Sequence, residues 1–294
     1  MIFNRDSVQR FLFENIHIRG ERAYVENSLN EALAAHCYPD VIRELLGQLV
    51  AAAILLSNTL KYSGLMTLQA KGSGAVSLLM VECTNKNSFR VLARWSGECS
   101  RSGVADLLGN GTLAITIDPD QGQRYQGVVP MDKPTLSECL EHYFSQSEQL
   151  PTRIWLSSDG VRASGLLLQV LPYKNNNGEE DVLLDRDECW IRITALTNTV
   201  SSLELLELDS ESLLRRLYNR EEVLVFDSEP VKFQCTCSRE RSDVIIKSIG
   251  RKEADSVIRE QGRIDMDCQF CNRQYSFDAK DIMRIFNSHG LRLH

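Results

Sequence analysis

Four cysteines near the C-terminus are the residues best suited to chemistry, because they form two closely spaced pairs. Cys235 and Cys237 stand two positions apart in FQCTCSRER, and Cys268 and Cys271 stand three positions apart in DMDCQFCN. Side chains at i and i+2 of an extended segment point to the same side, and a tight turn brings i and i+3 together. Four converging thiolates at about 2.3 Å suit tetrahedral zinc and leave no position for a catalytic water. The spacing predicts a structural or switching zinc site rather than four unrelated buried thiols.

The other five cysteines are scattered singly, and we interpret them as small apolar core residues, the usual state of free cysteine. They are Cys37, Cys83, Cys99, Cys139 and Cys189. Nine cysteines are an odd number, and the N-terminus lacks an apolar signal core. Both features favour a cytoplasmic protein over a secreted disulfide framework. The longest apolar run, residues 49–56, is less than half of a membrane span and predicts a buried helix.

Charge argues against nucleic acid or membrane as a partner. The net charge is -7 and no block of like positive charges is visible, so polyanions are repelled except where a local basic patch wins. The spacer between the cysteine pairs, residues 238–267, carries seven basic and seven acidic residues. A zinc module that reads nucleic acid is expected to be more basic, which disfavours the alternative of a zinc-ribbon nucleic-acid-binding factor.

Enzyme motifs are weak throughout the sequence. KGSGAV, residues 71–76, lacks the Lys followed by Ser or Thr of a phosphate-binding loop and predicts a β-turn. None of the five histidines stands in a nucleophile motif. Cys268 and Cys271 leave a thiol-disulfide oxidoreductase open as an alternative, although such a motif usually opens a helix in a βαβ context. We therefore expect a protein that is not an enzyme.

The elements that must position these cysteines begin with an α+β core domain, predicted over residues 1–177 from hydrophobic periodicity. Residues 15–27 predict a hairpin with its turn at Arg19-Gly20. Helices are predicted over 27–62, with an interruption at Pro39, and over 135–147. Predicted strands, rich in β-branched and aliphatic residues, are 65–71, 75–83, 88–95, 112–119, 124–131, 152–158 and 165–172.

An acidic and mostly helical linker is predicted over residues 178–230, after a composition break at YKNNNGEED, residues 173–181. It holds 14 Asp or Glu and 5 Lys or Arg, a balance of -9. An apolar stripe at helical spacing needs a partner surface: Leu203, Leu205, Leu206, Leu208, Leu213, Leu214 and Leu217. Self-repulsion together with a modest stripe predicts marginal stability. A solvated helical surface layer is the plainer alternative.

A small zinc-binding, redox-switch domain is predicted over residues 231–294, a segment too short to be held together well by core burial alone. Two short helices are predicted between the cysteine pairs, the second ending at Gly262. A hairpin is predicted around the second pair, and Asp278 is expected to cap a last helix through Ile285.

The sequence also resembles a known family. CTCSRER at 235–241, together with the separation of the pairs, is similar to the redox switch of the bacterial thirty-three-kilodalton heat-shock protein family. Further similar stretches run along the whole chain: LFENIHIRGE, GNGTLAITI, RYQGVV, YFSQSEQLPTR and RLYNREEVLVFD. The four metal positions do not depart from the family pattern. Ser242, a Cys in some relatives, is not a ligand position.

The resemblance implies a redox-regulated, ATP-independent holdase chaperone that protects unfolding proteins from aggregation under oxidative stress. The reduced form is expected to be idle with one zinc per chain, and disulfide formation, zinc release and linker unfolding are expected to activate it. Four cysteines allow three pairings. Proximity favours Cys235 with Cys237 and Cys268 with Cys271, and the resemblance implies the same pairs. The implied partners are unfolding clients and, in the active oxidised state, a second copy in a homodimer.

Overall fold

Alternating apolar residues form the strands of two six-stranded sheets in the structure, a computed structural model that describes residues 5–14, 16–99, 103–147, 150–172 and 181–287. These sheets belong to the first of two compact units, Met1–Gln234 and Cys235–His294. Strands of the first unit are β1 (Asp6–Phe13), β2 (Ile18–Val25), β3 (Gly64–Lys71), β4 (Val76–Thr84), β5 (Ser88–Trp95), β6 (Thr112–Pro119), β7 (Tyr125–Pro130), β8 (Thr152–Ser158), β9 (Ala163–Val170), β10 (Val223–Val225), β11 (Glu229–Pro230) and β12 (Lys232–Phe233). Its helices are α1 (Asn27–Leu33), α2 (Asp40–Thr59), α3 (Val104–Leu108), α4 (Leu136–Ser147), α5 (Asp181–Thr197), α6 (Ser202–Glu207) and α7 (Ser210–Leu217).

Helix α2 is the centre of the main core. It packs on strands of both sheets, and every residue from Leu49 to Leu56 is buried, as the apolar run predicts. The first sheet has the strand order β10-β1-β2-β9-β8, with β11 also paired to β1, and the second has the order β12-β5-β4-β3-β6-β7. The predicted α+β class is confirmed. The short helix α3 was not predicted.

The predicted hairpin turn at Arg19-Gly20 is wrong. Both residues lie inside β2, which pairs antiparallel with β1 along its whole length, and the connection falls at residues 14–17. Gly20 is paired with Phe11, and a Cβ added to Gly20 would overlap the Phe11 ring. The glycine therefore allows close packing inside a strand. The residues next to it in the sequence do not show whether it lies in a strand or in a turn.

The acidic segment packs as helices on one face of the first sheet. A second apolar cluster of buried residues joins the helices to the sheet, half of it from β1, β2 and β9 and half from α5 to α7 and the residue that follows α7. We call it the docking cluster; its members are Phe11, Phe13, Ile18, Leu166, Leu168, Val170, Ile193, Leu205, Leu213, Leu214, Leu217 and Tyr218. The other face of the sheet contributes Val8, Ala23 and Leu167 to the main core.

The predicted leucine stripe is correct for most of its members. Leu205, Leu206, Leu213, Leu214 and Leu217 are buried. Leu208 is half-buried and packs against the docking cluster. Leu203 differs, because 60% of its surface is exposed. It shares a one-and-a-half-turn helix with Leu205 and Leu206 but lies about 200° around the helix axis from Leu205, so Leu203 and Leu205 cannot both face the sheet.

The end of the acidic segment is held by short strands. β10 and β11 pair with β1, and β12 pairs with β5. Val231 is buried in the main core, so residues 231–234 belong to the first unit by their contacts. The composition break at 173–181 and the predicted boundary at 177 fall on or border residues 173–180, which lie outside the described part of the chain. The three-domain division stays a prediction.

The second unit has the predicted local elements. They are α8 (Arg239–Ile249), α9 (Arg251–Gln261), β13 (Ile264–Asp267), β14 (Gln274–Phe277) and α10 (Ala279–Asn287). α9 ends at Gly262, which adopts a left-handed conformation with φ of 79°, and glycine takes this conformation without the cost of a Cβ clash. Among the described helices of the chain, none is long and apolar enough to cross a membrane.

Three of the five single cysteines have the predicted core position. Cys83, Cys139 and Cys189 are buried, whereas Cys99 is only half-buried and Cys37 is exposed. Cys37 therefore does not have the predicted role: in the loop between α1 and α2 the neighbouring Tyr38 is buried in the main core, whereas Cys37 faces outward.

A buried acid in β2 makes the stability of the first unit depend on pH. The Glu21 side chain is 2% exposed, and burial raises the pKa of its carboxyl to about 7, although Arg19 and Arg10 attract the charged form. Glu229 adds repulsion. Between about pH 4.5 and pH 7 the folded chain retains a proton that the unfolded chain has released, so the free energy of unfolding falls as pH rises through this window.

Replacing this acid by its neutral isostere should remove that dependence. Relative to the parent, Glu21→Gln is expected to gain up to about 3 kcal/mol of unfolding free energy as the pH rises from below 4.5 to above 7. Urea unfolding at several pH values measures the difference. Glu31→Gln, at an exposed position, is the control. A pH-independent difference for Glu21→Gln would contradict the assignment.

Candidate metal centre

The first cysteine pair lies in the extended segment that precedes α8. Ser238 caps this helix, its hydroxyl accepting a hydrogen bond from the Arg241 amide at 3.3 Å. The Arg241 guanidinium also donates to the Thr236 hydroxyl at 2.7 Å. Thr236 stands between the two cysteines, so the cap and this bond fix the backbone that carries Cys235 and Cys237 at the helix start.

The second pair lies in the turn between β13 and β14. The Cys268 amide donates to the Arg273 carbonyl at 2.9 Å, and the Asn272 amide donates to the Cys268 carbonyl at 2.8 Å. Asn272 has φ of 54°, and asparagine is among the few non-glycine residues that tolerate this left-handed conformation. The resulting tight turn carries Cys268 and Cys271 on one side, as the i and i+3 spacing predicts.

The four sulfurs converge. They all lie within 4.8 Å of one another, a spacing that allows one metal ion to be held. The distance between the sulfurs of Cys235 and Cys268 is 3.6 Å, and that between Cys237 and Cys271 is 3.5 Å. A tetrahedral shell with metal–sulfur bonds of about 2.3 Å has edges of about 3.8 Å between sulfurs. The thiols therefore fit a tetrahedral four-sulfur site, and all four are half-buried.

Hydrogen bonds distribute charge unevenly among the four thiols. Burial alone raises the pKa of Cys237, but hydrogen bonds from the Tyr275 hydroxyl, at 3.3 Å, and from the neighbouring thiols lower it to about 7. Burial raises the pKa of Cys271 to about 12, and its position among the other sulfurs adds to the shift. Burial also raises the pKa of Cys235. The hydrogen bond from Tyr275 thus favours the thiolate form of Cys237.

The apolar core around this site is small. Six buried side chains form it, and they are Ile246, Ala254, Ile264, Phe277, Ile282 and Ile285. Arg239 lies over the Phe277 ring at 4.3 Å and pairs with Asp281 at 2.6 Å, which connects α8 to α10. A core of this size supplies little stability by itself, so a metal crosslink between Cys235–Cys237 and Cys268–Cys271 is consistent with the architecture of the unit.

The contact between Tyr275 and Cys237 was not predicted from the sequence. Tyr275 lies on β14 opposite Met266 of β13, and strand periodicity gives only the side of the strand on which its ring stands. Which sulfur the hydroxyl contacts depends on the docking of the first cysteine pair, 38 residues earlier in the chain. An aromatic residue four positions after a cysteine pair is the only sign that the sequence offers.

Comparisons with known proteins cover almost the whole chain. The family model described as Hsp33 protein matches residues 6–278. The chain is 47% identical over 288 residues to the 33 kDa chaperonin of Pseudomonas paraeruginosa, covering 97% of this chain and 96% of that protein. It is 44% identical over 284 residues to the 33 kDa chaperonin of Shewanella putrefaciens, covering 96% of each.

A solved structure has the same fold. The 33 kDa chaperonin of Thermotoga maritima superposes with a TM-score of 0.81 over 96% of this chain and 98% of that one, at 21% sequence identity. Together, the family model and the close relatives show that the chain belongs to the Hsp33 family, a family of chaperones. The resemblance seen in the sequence is confirmed.

If the four thiols act as one ligand set, removing any of them should abolish stable metal binding. We expect each single Cys→Ser variant at 235, 237, 268 and 271 to lose most of the bound metal of the reduced protein, because a hydroxyl is a much poorer zinc ligand than a thiolate. Metal analysis after gel filtration measures this. Cys139→Ser, which changes a buried thiol of the first unit, is the control and should retain one metal per chain; full retention in a cluster variant would exclude that cysteine as a ligand.

Proposed function

We propose that this protein is a redox-regulated, ATP-independent holdase of the cytoplasm, idle while its four clustered thiols are reduced and bound to zinc, and active after they are oxidised. The observation that carries the proposal is the docking cluster: an apolar face of the first sheet is covered by a segment with a charge of -9. Release of that segment would expose both apolar surfaces at once, and exposed apolar surface is what captures an unfolding chain.

The proposed metal ligands are Cys235, Cys237, Cys268 and Cys271. Bound zinc would supply a crosslink between the start of the second unit and the turn between β13 and β14, with an apparent binding free energy on the order of 10 to 16 kcal/mol that is also folding free energy. The six-residue apolar core supports this dependence. Loss of the ligand set should therefore unfold the unit.

Oxidation removes the ligands. A thiolate attacks peroxide to give a sulfenic acid, and a neighbouring thiol condenses with it to form a disulfide; overall, two thiols and one peroxide give one disulfide and two waters. Disulfide sulfurs are poor metal ligands. We assign the pairs as Cys235 with Cys237 and Cys268 with Cys271, which close loops too small to replace the metal crosslink.

The path from this switch to the acidic segment runs along the chain. The Gln234 amide donates to the Phe89 carbonyl at 2.9 Å, and Cys235 follows directly. Only the two-residue strands β11 and β12 and the three-residue β10 separate this point from α7. Such short edge pairings open at low free-energy cost, so a disordered chain beyond Gln234 would leave the acidic segment held only by its contacts with the face of the sheet.

Released apolar surface also accounts for the expected partners. Clients would bind to the uncovered side chains of β1, β2 and β9 and to the apolar side of the released segment. The same surfaces provide for a homodimer of the oxidised form, as the resemblance implies. No nucleotide enters this cycle, because the free energy comes from thiol oxidation and from unfolding within the protein itself.

The proposal is tested by comparing reduced and oxidised protein with a thermally unfolding client. We expect protein that has been oxidised by hypochlorite, or by peroxide with mild heat, to suppress light scattering by the client without ATP. This activity should appear together with metal release and dimer formation. Reduced, metal-loaded protein should suppress it far less. Equal protection by both forms would exclude the switch, and robust insulin reduction would indicate an oxidoreductase instead.

A substitution in the docking cluster should bypass the switch. Leu214 is 4% exposed, and Leu214→Asp places a charge against the apolar face of the sheet, at a cost of several kcal/mol to docking. The variant is expected to protect clients while still reduced and metal-loaded. Leu203→Asp is the matched control, because Leu203 is 60% exposed. This variant should leave the reduced protein idle.

Hydrogen exchange locates the effect of Leu214→Asp. Residues 202–217 should lose protection while β3 to β6 remain protected. If this segment instead stays protected in fully oxidised, active protein, the relay is excluded and client binding belongs to the remaining surface of the first unit.

A further inference from the structure

Arg22 is a charged side chain buried inside the docking interface. It lies in β2 opposite Gln9 and Leu166, on the face of the sheet that carries the docking cluster, and is 2% exposed. Its guanidinium donates to the Leu208 carbonyl, to the Leu205 carbonyl at 3.3 Å and to the Ser210 hydroxyl at 3.1 Å. All three acceptors lie at the turn between α6 and α7 of the acidic segment.

No other group of the described chain compensates the buried cation fully. No carboxylate lies within ion-pair distance of the guanidinium in the part of the chain that the structure describes, and its Nε has no hydrogen-bond partner. The nearby Asp209 carboxylate attracts the charge, yet burial lowers the pKa of Arg22 to about 10. The guanidinium thus depends on the acidic segment for its hydrogen bonds.

The acceptors depend on Arg22 in turn. α6 ends at Glu207, and the last carbonyls of a helix have no partner within the helix. A cation at the C-terminal end of a helix also interacts favourably with the helix dipole. Arg22 therefore donates hydrogen bonds to carbonyls that docking removes from water.

We propose that Arg22 is the positioning residue that fixes the α6–α7 turn on the first sheet, and that it thereby sets how readily the acidic segment is released. The regulatory consequence rests on the proposed function, whereas the positioning does not. In the released state both the guanidinium and the carbonyls are hydrated. Removing the guanidinium therefore destabilises the docked state alone, since a buried carbonyl left without a donor bears the full cost of desolvation.

The test is hydrogen exchange of the full-length, reduced, metal-loaded protein. Arg22→Met keeps much of the side-chain volume but removes every donor, and we expect exchange within residues 202–217 to accelerate by about tenfold or more. Arg22→Lys keeps the charge with a single ammonium group and should give a smaller acceleration. Holdase activity should then require less oxidant or a lower temperature than in the parent.

Arg19→Met is the matched control. Arg19 lies on the same strand but donates to the Gln169 side chain and to the Thr59 carbonyl, both outside the acidic segment. It should leave exchange within 202–217 unchanged. Unchanged or slower exchange in Arg22→Met would overturn the proposal, because it would mean that the cost of burying the charge exceeds the value of its hydrogen bonds.

Two further outcomes separate this proposal from the proposed function. Faster exchange within 202–217 without any gain in client protection would support the positioning role and contradict the holdase relay. If Arg22→Met does not fold, Arg22→Lys and Ser210→Ala decide, and parental exchange rates in both would overturn the proposal.

Discussion

The structure depends on the burial of both faces of one antiparallel sheet. Every residue of β9, Ala163–Val170, is buried, which requires a cover on each side. α2 covers one face within the main core, where eight consecutive apolar residues are buried. The acidic segment covers the other. The segment carries a charge of -9, which opposes its own compaction, and its buried leucines pack against the sheet that it covers.

The second unit has the same dependence on a contact outside its apolar core. Six buried side chains are few for a folded unit, and the ion pair of Arg239 with Asp281 is partly exposed, where such pairs contribute little. Four sulfurs within 4.8 Å of one another bring the segment before α8 next to the turn between β13 and β14. Under the proposed function, a metal held by these thiols would supply the stability that the small core lacks, and coordination by thiols is sensitive to oxidants.

Polar side chains contribute both to the docking of the acidic segment and to the cysteine cluster. Arg22 reaches carbonyls that lie 183 and 186 residues away, and Tyr275 reaches a sulfur 38 residues away. Each is a single side chain with a defined direction, unlike apolar contacts, which tolerate small shifts. In this way the apolar cluster supplies most of the attraction, while the polar contacts fix which turn or which sulfur is held.

The sequence by itself determined the features that depend on neighbouring residues. Spacings of two and three positions placed the cysteines of each pair on one side of the chain, and apolar periodicity located α2, the strands β3 to β9 and most of the leucine stripe. The strand β1 and the short strands β10 to β12 were not predicted. Gly20 was misassigned, Leu203 was assigned to the wrong side, and the roles of Arg22 and Tyr275 were not found. Only the tertiary structure decided these, because each depends on a partner far along the chain: the Phe11 ring across the sheet, the turn of a docked helix pair, or a sulfur from another segment. Local periodicity indicates on which side of a helix or strand a residue lies, whereas tertiary packing decides which residue it contacts there.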